Sequence, residues 1–226
     1  MKKFCFFICT TLLLLSGAGN SFAQSDDFGA WMSVSVEKEI KKWDFGFEQE
    51  LRTMDNSSHV ERVSSSLSAE YKLFKPLKIG ASYEFIVLND LENDDLQPRH
   101  RGNVYLQGKY KIGRLTASLR ERIQVTYKDE TERTYKMNPK WSWRNKLKFD
   151  YNIPHSPVSP FASFETFYQL NNPDGNKFDN LRYSAGTEYK FNKHHAIEIY
   201  GLIDKEINVK KPVRRFVAGA GYSFSF

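Results

Sequence analysis

From residue 25 onward, apolar and polar residues alternate one by one almost without a break. Period two belongs to a β-strand whose two faces meet different surroundings. Phe28, Ala30, Met32, Val34 and Val36 oppose Gly29, Trp31, Ser33, Ser35 and Glu37. Leu77, Ile79, Ala81, Tyr83, Phe85 and Val87 oppose Lys78, Gly80, Ser82 and Glu84. The closing run sets Phe216, Ala218, Ala220, Tyr222, Phe224 and Phe226 against Arg215, Gly219, Gly221, Ser223 and Ser225. Such runs are about ten residues long, beyond the five or six of an ordinary strand. A tilted strand that crosses a lipid bilayer needs about nine to eleven. No stretch carries a helical stripe, and no domain boundary or low-complexity segment interrupts the pattern.

Eleven such runs are present, joined by connections that alternate in length. Segments 39–42, 74–76, 112–114 and 192–194 read as short turns. Segments 54–60, 89–100, 128–139, 171–180 and 205–213 are longer and polar, and 152–160, with three prolines, joins the short set imperfectly. Short turns on one side and long loops on the other are expected of an outer-membrane barrel, the short turns being periplasmic. Single-chain bacterial barrels have an even number of strands, so eleven runs fit awkwardly. The expectation is an all-β, antiparallel up-and-down transmembrane barrel of ten to twelve strands.

Mean hydropathy of −0.57 and 27% charged residues exclude a bundle of membrane-spanning helices. They leave a barrel open, since each barrel strand shows only one face to lipid. The net charge is +6, two of it from Lys2 and Lys3. The remainder is mixed with acids throughout, which argues against a nucleic-acid partner.

Residues 1–23 have the form of a cleaved signal peptide. Lys2 and Lys3 precede the apolar run 4–15, and Ser21-Phe22-Ala23 offers small residues at a cleavage site. The expected domains are therefore the leader, 1–23, and one outer-membrane barrel, 24–226. Both cysteines, Cys5 and Cys9, lie in the leader, which leaves no disulfide or Cys-based metal site after it.

Alternation alone does not say which face points outward. A soluble periplasmic ligand-binding barrel buries its apolar face, whereas a membrane barrel displays it. Three features favour display. The opposite face is rich in Ser, Gly, Arg and Glu, which suits a polar lumen. Trp43, Phe74, Tyr110, Tyr127, Trp141, Tyr151, Tyr168 and Tyr189 fall near run ends, where interfacial aromatic girdles lie. Tyr222, Phe224 and Phe226 form an alternating aromatic ending that is similar to the signal read by outer-membrane assembly machinery.

The whole chain after the leader resembles a family of Gram-negative outer-membrane β-barrel proteins known only as a domain of unknown function. The residues that carry the resemblance are FGAWMSVSVEKEI, EQELRT, RHRGNVYLQGKYKIGRLTASLRERIQVTY, PFASFETFYQL, LRYSAGTEYKFNKHHAIEIYG and GAGYSFSF. The resemblance implies location and architecture, and brings no activity and no catalytic residue.

The candidate site is the expected lumen network of Glu48, Glu50, Arg52, Arg62, Glu70, Arg101, Arg120, Arg122, Arg144, Glu165, Arg182 and Glu188. Long side chains can cross a narrow barrel, and Arg forks grip carboxylates with two hydrogen bonds. Such a network either closes the interior or lines a charged pore, and the cationic excess of the middle runs favours anions. Glu121 falls on the lipid-facing set. An enzyme is not expected: neither G-x-S-x-G nor H-E-x-x-H occurs. The alternative of a lipid hydrolase at the membrane rim rests on Ser57, Ser58 and His59, which are merely neighbours in sequence. His194-His195 and the acids Asp90, Glu92, Asp94 and Asp95 lack metal-ligand spacing. No cofactor and no metal are expected. The expected partners are outer-membrane lipid, lipopolysaccharide and the assembly machinery.

Overall fold

The computed structural model describes residues 25–91, 95–131 and 134–226. The segment 1–23, read as a leader, lies outside the described residues, as do Glu92 and Asp94. All eleven alternating runs are strands: β1 (Ser25–Ile40), β2 (Trp43–Met54), β3 (His59–Phe74), β4 (Leu77–Asp90), β5 (Asp95–Ile112), β6 (Leu115–Lys128), β7 (Lys140–Tyr151), β8 (Val158–Gln169), β9 (Phe178–Lys190), β10 (His195–Glu206) and β11 (Val213–Ser225). Chain neighbours pair antiparallel around the wall, and β1 meets β11 to close it. No further strand occurs among the described residues of segment 128–139.

Parity accounts for the one departure from the expected antiparallel barrel. When each strand reverses the direction of the one before, the first and the eleventh run the same way. The closing pair is therefore parallel, from Ser25 opposite Val213 to Glu37 opposite Ser225. Ion pairs from Arg214 to Asp26, at 2.6 Å, and from Arg215 to Asp27, at 2.9 Å, tie the start of this seam. At its other end the backbone N–H of Phe226 donates to the carbonyl of Glu37, and the Lys38 ammonium sits over the Phe226 ring.

The short connections gather at one rim. Two residues join β1 to β2, β3 to β4 and β5 to β6. Gly113 takes φ +59° in the last of these, a left-handed conformation that glycine adopts without a Cβ penalty. The longer connections gather at the opposite rim.

The pleat sorts the side chains as the alternation requires. Leu67 is 59% exposed on the outer wall, and Ile79, Val104, Leu106, Leu119 and Ile199 are exposed beside it. Glu165 is 6% exposed on the inside, where Ser64, Asn103, Gln107, Gln124 and Ser142 are also buried. Apolar atoms thus cover the outside and polar atoms fill the centre, the inverse of a water-soluble barrel. An apolar cluster of Trp31, Leu202 and Val217, with Tyr200 packed against it, backs the seam from within.

Candidate functional site in the barrel lumen

Eleven strands enclose more room than the eight whose interior side chains just fill. The lumen holds a cavity of about 700 Å³ and another of about 680 Å³. The first runs from the short-turn end of β1–β3, at Glu37, Gly46 and Glu70, toward the long-loop rim at Asp179 and Glu206. The second lies against β5–β10 and reaches the short-turn rim at Asn152 and Lys190. Both are lined by Glu50, Arg120, Arg122, Arg144 and Arg182, so these side chains stand where the cavities meet.

Every residue of the sequence-derived lumen set lines one or both cavities. Glu48, Glu50, Arg52, Arg62, Glu70, Arg101, Arg120, Arg122, Arg144 and Arg182 line the first. Glu165 and Glu188 line the second. Their pairing is specific. Glu50 accepts two hydrogen bonds from Arg52, at 2.8 and 2.9 Å, and one from Arg62 at 2.9 Å. Arg101 donates to Glu84 at 2.9 Å. Arg144 pairs with Glu165 at 2.8 Å and donates to Gln124 at 2.8 Å. Arg182 pairs with Asp204 at 2.6 Å. Glu188 turns to Lys190 at the rim, and Glu48 has no ion pair among the described residues. Buried charges are tolerated when they are paired and hydrogen-bonded in this way.

Charge is distributed unevenly around the wall. From β1–β4 the first cavity is lined by Glu37, Glu48, Glu50, Glu70 and Glu84 together with Arg52 and Arg62. On the adjoining arc, β5–β7, its charged lining is cationic alone: Arg99, Arg101, Arg120, Arg122, Lys128, Lys140 and Arg144.

The lumen network named from the sequence leaves out the aromatic side chains that share the inner face. The Trp31 ring lies under Arg52, 3.5 Å from the guanidinium carbon, and Arg182 stands 4.9 Å from it. Phe167 receives Arg144 at 4.3 Å. Tyr105 donates to Glu70 at 2.9 Å and lies near Arg120 and Arg122. Trp31 already stands in the polar row of its run, between Gly29 and Ser33, and Tyr200 stands between Ile199 and Gly201 opposite the row of Ile197, Ile199 and Ile203; that misplacement by hydropathy was the available sign.

The remaining candidates occupy the rims and outer wall. Ser58 Oγ and Asp55 Oδ2 both meet Nδ1 of His59, at 2.8 and 3.1 Å. A nucleophile–base–acid relay needs its partners on opposite ring nitrogens, and this arrangement crowds them onto one. His195 Nδ1 meets the Tyr222 hydroxyl at 2.6 Å, and both histidine rings of the 194–195 pair lie near Phe224. Among the described residues no group of three His, Cys, Asp or Glu is placed to hold a metal ion. Glu121 faces outward, where its carboxylate accepts the Trp143 indole N–H at 2.8 Å. On the long loops, Lys136 donates to Asp174 and holds that carboxyl below the usual carboxylate range.

Comparison with known proteins adds a family and a fold. No curated protein matches the chain. Among solved structures, a bacterial polysaccharide outer membrane secretin is similar, with a TM-score of 0.50 at 12% identity. The match covers 78% of this chain and 62% of that one, less than two thirds of its length. At this identity the likeness is one of fold. A family model described as protein of unknown function, DUF2490, matches residues 28–211. The chain belongs to the DUF2490 family.

Proposed function

We propose that this protein is an outer-membrane barrel, exported by the leader 1–23, whose lumen passes small solutes with a preference for anions. The reading is carried by one observation: two cavities meet at an Arg-rich layer inside a wall that is apolar outside. Cations outnumber carboxylates ten to seven around the first cavity and eight to five around the second. A cationic, low-dielectric tube concentrates anions and repels cations. The fold shared with an outer-membrane protein supports the location. In this reading the protein is not an enzyme. Tyr222, Phe224 and Phe226 present the assembly signal, and lipid and lipopolysaccharide are its surroundings.

The ionic layer also favours a second reading, in which Arg52, Arg62, Arg144 and Arg182 close the tube and the barrel is a scaffold. Planar-bilayer recording of the folded barrel in a salt gradient separates the two. Conductance steps with an anion-selective reversal potential support the pore. A folded, heat-modifiable barrel that never conducts supports the scaffold, and cation selectivity overturns the anion preference. Recovery from the soluble periplasmic fraction would overturn the membrane location.

A further inference from the structure

The cations lining the second cavity are not all satisfied. Arg120, Arg122 and Lys146 project from β6 and β7, and Lys109 from β5, into one side of this chamber. Arg120 stands opposite Lys146 in the strand ladder, and Arg122 stands opposite Arg144. Like charges directly opposite each other destabilise a sheet. Carboxylates share the chamber, Glu50, Asp150, Glu165, Glu188 and Glu198 among its lining, but among the described residues none forms an ion pair with these four side chains. Glu165 stands opposite Lys146 but is turned to Arg144, at 2.8 Å, and Asp150 is taken by Lys148 at 3.0 Å. Arg120 donates both Nε and Nη2 to the neutral Gln107. Arg122 has a buried Nε with no hydrogen-bond partner. The side chains of Lys109 and Lys146 make no hydrogen bond or ion pair among the described residues, although the Lys109 backbone N–H donates to the Pro76 carbonyl.

We propose that Lys109, Arg120, Arg122 and Lys146 form a binding site for a small, multiply charged oxyanion of the phosphate class, entered from the short-turn rim. Four donors with unspent charge converge on a cavity of about 680 Å³, within the range of small-molecule sites. An oxyanion relieves the repulsion across β6 and β7 and supplies acceptors for the orphaned donors. A planar guanidinium beside an ammonium suits tetrahedral oxygens. The site goes beyond the pore reading and does not require conduction.

The test is calorimetric titration of the full barrel, folded in detergent, with inorganic pyrophosphate in about 0.15 M salt, where exposed charges are largely screened. Saturable binding is expected. Lys146→Gln and Arg122→Gln should each weaken it about tenfold, as loss of a charge-assisted hydrogen bond implies. Lys146→Arg should retain most of it. Lys136→Gln, an equal change of charge on an outer loop, should leave it unchanged. Absence of saturation, or equal weakening by Lys136→Gln, would overturn the site. Should the glutamine variants fail to fold, lysine acylation of the wild-type barrel decides: pyrophosphate must protect Lys109 and Lys146 selectively. A barrel that binds pyrophosphate without conducting sinks the pore and leaves the site; one that conducts without binding does the reverse.

Discussion

The Arg52 guanidinium carbon stands 3.5 Å from the centroid of the Trp31 ring, while the same guanidinium makes two hydrogen bonds to Glu50. One side chain thus joins the apolar cluster behind the seam to the ionic layer between the cavities. Arg52→Ala removes both contacts and leaves Glu50 to Arg62 alone. The expected loss is about 1–3 kcal/mol, the scale of hydrogen bonds to a buried charge. It is read as a lower urea midpoint for the barrel folded in vesicles, with Arg52→Lys intermediate because lysine keeps the charge without the fork.

Two glycines flank Tyr200 and should respond differently to alanine. At Gly219 the new methyl would overlap the Tyr200 ring, which can swing away. At Gly186 it would overlap the Ile199 carbonyl and the Tyr200 backbone, which cannot. Gly186→Ala is expected to cost about 1–3 kcal/mol, as overpacking does, and Gly219→Ala less. In a Tyr200→Ala background the Gly219 penalty should vanish while the Gly186 penalty persists. Equal penalties in both backgrounds would contradict the ring's part in the clash.

Leu67 and Ser66 are adjacent but face the outer wall and the lumen. Leu67→Arg should cost about 2–4 kcal/mol if Leu67 lies at the bilayer midplane. Ser66→Arg should cost clearly less, since its new charge meets an aqueous cavity. On the same outer wall the proposed membrane location implies that Glu121→Leu raises stability, the removal of an outward carboxylate outweighing the lost Trp143 hydrogen bond. The urea midpoints of the three variants in one lipid provide the comparison.

The eleven runs, their faces and the membership of the lumen network were legible because period two marks sidedness directly. The parallel seam was concealed by the even-number expectation, although the alternating topology of eleven strands requires it. Pairing within the lumen was not legible. Whether Glu165 serves Arg144 or Lys146 depends on how side chains cross the tube, and both stand beside it in the register or diagonal to it. Periodicity places a residue on a face without naming its partner. For the same reason Trp31 could be assigned to the polar face without its packing under Arg52 being foreseen.

The Asp174–Lys136 contact predicts an acid-labile tie between two long loops. Lys136 depresses the Asp174 carboxyl, so the unfolded or detached loop binds a proton more readily than the tied one. The contribution is therefore fully present above the ordinary carboxylate pKa, about 3.9, and fades as pH falls through the lower value of the tied state. Protease susceptibility of these loops should stay flat from neutral pH down to about 5 and rise in stronger acid. Asp174→Asn should remove this part of the pH dependence, and screening by added salt should weaken the tie, because the Lys136 and Asp174 side chains are 63% and 65% exposed.

Because β1 starts at the long-loop rim and β11 finishes at the short-turn rim, the proposed membrane location requires that tags fused just before Ser25 and just after Phe226 report from opposite compartments. Antibody staining of intact and permeabilised cells could then read insertion polarity from a single polypeptide, without cutting any hairpin to place an epitope.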